Sequence, residues 1–197
     1  SKIKDVGFKK IIATPHTYNQ VYNNTNETIK ESYDLLMNSY SLDMKISYAS
    51  EYMLDHTILE KIKNRSILCL KNNYVLVEMS FMAAPNNLSE IIFEIITNGY
   101  IPILAHPERY RFLHGNLQNF INLKKIGCEF QLNLLSVTGY YGAQITKISE
   151  YLLKSDLIDY VGSDIHNFKQ INEMNKKVNI KSLDQLKKAI NNNKIFS

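Results

Sequence analysis

A histidine, a glutamate or an aspartate stands at the end of each of five apolar runs in this chain. Ile11-Ile12-Ala13-Thr14-Pro15-His16 closes on His16, Ile46-Ser47-Tyr48-Ala49-Ser50-Glu51 on Glu51, and Tyr74-Val75-Leu76-Val77-Glu78 on Glu78. Ile101-Pro102-Ile103-Leu104-Ala105-His106 closes on His106, and Tyr160-Val161-Gly162-Ser163-Asp164-Ile165-His166 supplies both Asp164 and His166. Imidazoles and carboxylates are the ligands of divalent metals. Each has a plainer reading taken alone: His16 as a turn residue after Pro15, Glu51 as a solvated strand end, Asp164 as a turn aspartate before a surface histidine. Glu78 resists that reading, because it sits among Val75, Leu76, Val77, Met79 and Phe81, where a buried carboxylate is costly unless paired or metal-bound. Asp164 and His166 are two apart, so an extended strand would put them on one face. Chance would scatter these residue types, and their recurrence at strand ends points to a metal site.

Other chemistries find little support. His56 follows Asp55 at a helix start and His114 precedes Gly115 in a loop, so both read as surface residues. There is no Gly-x-Ser-x-Gly elbow and no P-loop, and neither Cys69 nor Cys128 stands in a Cys-x5-Arg motif, so covalent serine or cysteine catalysis is unsupported.

The elements that must carry these ligands alternate. Apolar strands are predicted at residues 10–14, 44–50, 74–79, 101–105, 128–133 and 159–163. Between and after them, helical spacing predicts helices over 27–39, 55–63, 88–97, 116–126, 140–154 and 182–192. Thr25 or Asn26 is a possible N-cap, Asp55 is another, and Gly99 and Gly127 are stop signals. Near-continuous apolar strands separated by helices indicate a parallel sheet covered by helices. Parallel α/β folds build their sites at the C-terminal ends of the strands. Ligands arriving from many successive strands favour a distorted β/α (TIM-like) barrel over an open sheet, with residues 1–197 as a single domain.

Bulk composition narrows the partners. The 197 residues carry a formal charge of +4 and are 45% hydrophobic, enough for a core. Lysines such as Lys61, Lys63, Lys187 and Lys188 read as solvated helix faces. No basic stripe interleaved with aromatics suggests nucleic acid. Two cysteines without a CxxC motif argue against a disulfide framework and a cysteine-ligated zinc site, and fit a reducing cytoplasm. No apolar run is long enough to span a membrane, and the first ten residues lack a signal-peptide core.

Taken in order, these stretches resemble the polymerase-and-histidinol-phosphatase (PHP) superfamily. They are most similar to its bacterial manganese-dependent protein-tyrosine phosphatases of capsular and exopolysaccharide synthesis. The resemblance rests on Ala13–His16, Ser50–Asp55, Leu76–Glu78, Tyr100–Tyr110, Phe130–Asn133, Ser136–Gly142 and Gly162–Asn167. Ile-Leu-Ala-His-Pro-Glu-Arg-Tyr is its most specific part. The resemblance implies a PHP-type barrel with His16, Glu51, Glu78, His106, Asp164 and His166 as metal ligands. It implies divalent ions, manganese foremost with iron or zinc also suited. It implies Arg109 as a phosphate-binding catalytic residue, although a structural salt bridge to Glu108 or another carboxylate is the competing reading. The implied reaction is hydrolysis of phosphotyrosine on a protein, the tail of a bacterial tyrosine kinase of polysaccharide export. Clustered metals would polarise the phosphoryl group and supply hydroxide for in-line attack.

Two departures qualify that expectation. The family opens with a strand bearing Asp-x-His-x-His and, slightly later, an aspartate loop; this chain starts at what would be the following helix. By the family's arrangement Glu51, Glu78 and His106 would form one complete set, with Glu51 and Asp164 left to a second metal and His16 and His166 to a third. The family also places an arginine shortly after Ser-Asp-x-His, where this chain has Lys169, a point charge and not a fork. The first-strand departure gives a rival expectation, a remnant domain that binds a phosphorylated partner without turnover and whose open strand edge invites oligomerisation. A PHP phosphatase acting on a small phosphate monoester is a further alternative.

Overall fold

Pro15 breaks the first apolar run in two. A proline has no N–H to continue a ladder, and here the chain runs as one strand before it and a second after it. The computed structural model describes residues 2–18, 21–41 and 43–197, which fall into two units, Ser1–Met79 with Pro85–Pro102, and Ser80–Ala84 with Ile103–Ser197.

The first unit begins with a helical turn α1 (Lys2–Asp5), then β1 (Lys10–Ala13) and β2 (His16–Thr17), separated by Thr14-Pro15. After α2 (Asn26–Ser39) the same break recurs: β3 (Lys45–Tyr48) and β4 (Glu51–Met53) are separated by Ala49-Ser50. The two breaks lie side by side, because β1 pairs in parallel with β3, and β2 with β4 in the register His16↔Glu51. The Ala49 N–H donates to the Ala13 carbonyl at 2.8 Å, and the Glu51 N–H and Ser50 hydroxyl both donate to the Pro15 carbonyl. The expected strands 10–14 and 44–50 are therefore each shorter, and His16 and Glu51 open new strands instead of closing old ones. Helix α3 (His56–Lys63) leads to β5 (Tyr74–Glu78), which pairs in parallel with β4 in the register Met53↔Glu78. Helix α4 (Leu88–Thr97) completes the unit.

Local chemistry explains the helix ends. Thr25 caps α2 in a reciprocal capping box with Thr28, and the Asp55 carboxylate accepts the Thr57 N–H to cap α3. In α4, Ile91, Ile92 and Ile95 are fully buried, and Gly99 at φ +86 ends the run as its position predicted. Burying each such side chain stabilises by about 1.5–3 kcal/mol.

Strand β6 (Ile101–Ala105) carries the chain into the second unit. There follow α5 (Gln118–Lys125), β7 (Glu129–Asn133), α6 (Ala143–Lys154), β8 (Tyr160–Gly162), α7 (Phe168–Glu173) and α8 (Leu183–Asn192). β6 pairs in parallel with β7 in the register Leu104↔Phe130, and β7 with β8 in the register Asn133↔Gly162. Ile103, Leu104, Phe120, Phe130, Leu132 and Leu152 form its fully buried core. The helix expected over 140–154 starts at Ala143, because Gly142 precedes it at φ +94, a backbone state that glycine adopts without cost. Helix α7 was not anticipated: it is short, and an Asn167–Gln170 capping box rather than an apolar stripe marks it. Parallel strands alternating with helices give the expected α/β class.

Candidate functional site

In the first unit the paired breaks aim two ligands at a third. His16 and Glu51 sit opposite each other in register, and Glu78 ends the strand beside Glu51. His16 Nδ1 lies 2.8 Å from Glu78 Oε1 and 3.5 Å from Glu51 Oε2. One donor atom from each of the three falls within 4.8 Å of the others. Both carboxylates are buried, at 4% and 6% exposure, while His16 is partly exposed and stacks on Tyr22. Thr17 and Ser50 share a hydroxyl hydrogen bond of 2.6 Å that ties the two strands together just beside the cluster. Within this trio, two carboxylates face one imidazole, which can carry at most one positive charge. A divalent ion fits that donor set in ligand type and in charge.

The second unit gathers a different group. Arg109 Nη1 donates to Asp164 Oδ2 at 2.7 Å, and the Asn133 amide donates to the same oxygen at 2.9 Å. The Arg109 guanidinium lies over the ring of Tyr141 at 4.3 Å and over that of Phe81 at 4.8 Å. His106 stacks on Phe81 and contacts Tyr110, and its backbone N–H donates to the Gln131 carbonyl at 2.7 Å. His166, half exposed, places Nδ1 2.9 Å from the Asp164 carbonyl.

Two of these residues hold unusual backbones. His106 has φ 40 and Asp164 has φ 47, the left-handed region that non-glycine residues rarely adopt. Such strain, of order 1–3 kcal/mol, clusters at functional sites. It also corrects one expectation: Asp164 lies beyond the end of β8 with a left-handed backbone, so it and His166 do not share the face of an extended strand. They meet instead where His166 Nδ1 approaches the Asp164 carbonyl.

Beneath this group Glu108 is wholly buried. Its Oε1 accepts the Ser136 hydroxyl at 2.6 Å and the Asn133 N–H at 3.1 Å, while its buried Oε2 has no hydrogen-bond partner. Burial pushes its carboxyl well above the ordinary range, against the opposing pull of the Ser136 hydrogen bond. Glu108 is thus not the partner of Arg109, whose salt bridge goes to Asp164. His114, a surface residue by its sequence context, is half-buried, with Nε2 2.8 Å from the Glu108 carbonyl.

His16, Glu51 and Glu78 come together in the first unit, and Arg109, Asp164 and His166 in the second, where His106 stands with Phe81 and Tyr110. In the sequence Asn133 and Tyr141 carry no evident role, and Phe81 stands only among the apolar neighbours of Glu78. Their types carry no metal or acid–base signal, and only the fold brings them to Arg109.

A parallel α/β fold in which two buried carboxylates face a partly exposed imidazole defines an α/β protein with a candidate divalent-metal site. The chain belongs to the CpsB/CapC family of capsular polysaccharide synthesis, whose pattern matches residues 2–194. It is 31% identical over 170 residues to the tyrosine-protein phosphatase YwqE of Bacillus subtilis, covering 84% of this chain and 67% of that protein. CapC of Staphylococcus aureus is 32% identical over 161 residues, covering 80% and 63%. CpsB of Streptococcus pneumoniae, a tyrosine-protein phosphatase, is 28% identical over 170 residues, covering 82% and 70%. The chain thus spans roughly two thirds of the length of these relatives. Among solved structures it matches a chain from the crystal structures of YwqE and CpsB, described as metal-dependent tyrosine phosphatases. That match has a TM-score of 0.77 at 28% identity, over 94% of this chain and 75% of that one.

Proposed function

We propose that this chain hydrolyses phosphotyrosine on a protein substrate in a metal-dependent reaction. The observation that carries the proposal is the His16–Glu51–Glu78 cluster, whose donor atoms lie within 4.8 Å of one another. Family membership and the metal-dependent tyrosine phosphatases among the relatives support it. His106, Asp164 and His166 are proposed as further ligands, on their residue types, their strand-end positions and the strained backbones of His106 and Asp164. Manganese is the proposed ion, since carboxylate-rich sets with imidazole suit it. The strands are proposed to belong to a PHP-type β/α barrel, supported by their parallel pairing and by the likeness to YwqE and CpsB.

A bound divalent ion supplies Lewis-acid polarisation of a phosphoryl oxygen and a water acidic enough to act as nucleophile near neutral pH. The chain's own residues orient the substrate. Arg109 keeps one hydrogen bond on Asp164, and a guanidinium has further N–H groups to fork around phosphoryl oxygens. Lys169, exposed at the start of α7, adds a point charge rather than a second fork. The proposed substrate is the tyrosine-rich tail of a bacterial tyrosine kinase acting in the cytoplasm, a setting that two free cysteines suit.

The test is phosphate release from three substrates, a phosphotyrosine peptide, a phosphoserine peptide and a small alkyl phosphate, each with Mn2+ and with chelator. The proposal expects metal-dependent release, fastest from phosphotyrosine. Equal rates on all three, or release unaffected by chelation, would overturn it.

A further inference from the structure

Arg109, Asp164, Asn133 and Tyr141 close a ring. Arg109 Nη1 donates to Asp164 Oδ2, the Asn133 amide nitrogen donates to that same oxygen at 2.9 Å and lies 3.3 Å from the Tyr141 hydroxyl, and the Tyr141 ring covers the Arg109 guanidinium at 4.3 Å. Phe81 lies against the guanidinium as well, with its ring centroid 4.8 Å away. Asn133 cannot turn its amide the other way without loss. Its Oδ1 accepts the Leu135 N–H at 2.8 Å, capping the turn Leu134–Thr138. That backbone donor fixes which end of the amide is oxygen, so the NH2 group must face Asp164. The Asn133 N–H is itself held by the buried Glu108.

We infer that Asn133 and Tyr141 are positioning residues that set the plane of the Arg109 guanidinium for phosphate. The inference rests on the phosphatase reading given above. A fork must meet phosphoryl oxygens in its own plane, and an unsupported arginine side chain rotates freely. The Tyr141 ring fixes the tilt of that plane by a cation–π contact, and Asp164 fixes its rotation. Asn133 holds Asp164 at the shared oxygen. This accounts for an amide, and not an acid, at position 133: a carboxylate there would face Asp164 with like charge and no proton to give. It also gives a role to the Phe-Gln-Leu-Asn and Ser-Val-Thr-Gly-Tyr-Tyr-Gly stretches, which metal ligation leaves unused.

The test compares the chain with its Asn133→Asp, Tyr141→Phe and Tyr141→Leu variants. Inorganic phosphate affinity is read by calorimetry, KM and kcat on p-nitrophenyl phosphate with Mn2+, and folding by thermal melting. Asn133→Asp keeps the oxygen that caps the turn, removes the amide donor and sets a like charge against Asp164. Tyr141→Phe keeps the ring and removes the hydroxyl. Tyr141→Leu is expected to weaken phosphate binding about threefold to thirtyfold, the range of a cation–π contact. Tyr141→Phe should restore it to within about twofold. Asn133→Asp should weaken it about tenfold or more, as loss of a hydrogen bond to a charged group does. KM should rise more than kcat falls in both damaging variants. Folded variants with unchanged phosphate affinity and KM, or a Tyr141→Phe as damaging as Tyr141→Leu, would overturn the inference while leaving the phosphatase reading intact. A parent chain that neither binds phosphate nor hydrolyses the ester would overturn both.

Discussion

His16 Nδ1 lies 2.8 Å from Glu78 Oε1 across 62 positions of sequence. The contact exists because two strand breaks, one at Thr14-Pro15 and one at Ala49-Ser50, fall in register. The breaks let β2 and β4 start afresh, with His16 opposite Glu51 and Glu51 one strand from Glu78. Pro15 and the Ala49-Ser50 break thus do the positioning for a three-ligand cluster.

Replacing one carboxylate in that cluster should cost metal affinity without costing the fold. Glu78→Gln keeps shape and removes charge, and Mn2+ affinity measured by calorimetry should fall at least about tenfold, on the scale seen when metal-site residues are perturbed. Glu51→Gln should behave likewise. Unchanged affinity in both variants would place the metal elsewhere.

Arg109→Lys keeps the charge and loses the planar fork. It also loses stacking between Phe81 and Tyr141. KM for an aryl phosphate should rise by about tenfold, since bidentate recognition is not replaced by a point charge. A lysine variant with parental KM would show that charge alone suffices.

Glu108 is a structural acid. Its Oε1 takes two hydrogen bonds, its Oε2 takes none, and burial raises its pKa. Glu108→Gln should therefore change stability by less than about 1 kcal/mol, while Glu108→Leu strands the Ser136 hydroxyl and the Asn133 N–H at about 1–3 kcal/mol each. Urea unfolding of the two variants checks the contrast.

Much of this layout is legible in the sequence. The strand at 101–105, the helix at 88–97 and the caps at Asp55 and Gly99 follow from periodicity and end signals. The buried state of Glu78 follows from its apolar neighbours. The strand breaks do not, because a pairing partner decides where a ladder stops, and that partner lies about thirty-five positions away in sequence. Nor does the left-handed backbone of Asp164, where extended spacing predicted a shared strand face with His166. Asn133, Tyr141 and Phe81 escaped because stacking and amide donation leave no spacing pattern. They are recognisable only once Arg109 is in place.

Alkaline pH should destabilise the fold. Burial pushes the Cys128 thiol from 9.0 up to about 12, and the Tyr52 phenol from 10.0 up to about 12. Unfolding returns both to their ordinary values, so above pH 9 the unfolded chain holds fewer protons than the folded one. Stability is then lost as pH rises from 9.0 toward 12. For Cys128 alone the loss reaches about 1–2 kcal/mol by roughly pH 10. Urea midpoints with chelator present should fall across that window, and Cys128→Ala should flatten the fall.

The most direct measurement strips the chain of metal, returns Mn2+ in steps, and follows phosphate release from a phosphotyrosine peptide by the parent and by Glu78→Gln. The stripped chain should release none, the parent should show release that rises and saturates with Mn2+, and the variant little or none at the same concentrations. Release by the stripped chain, or a variant that saturates as the parent does, would contradict metal-dependent hydrolysis at this cluster.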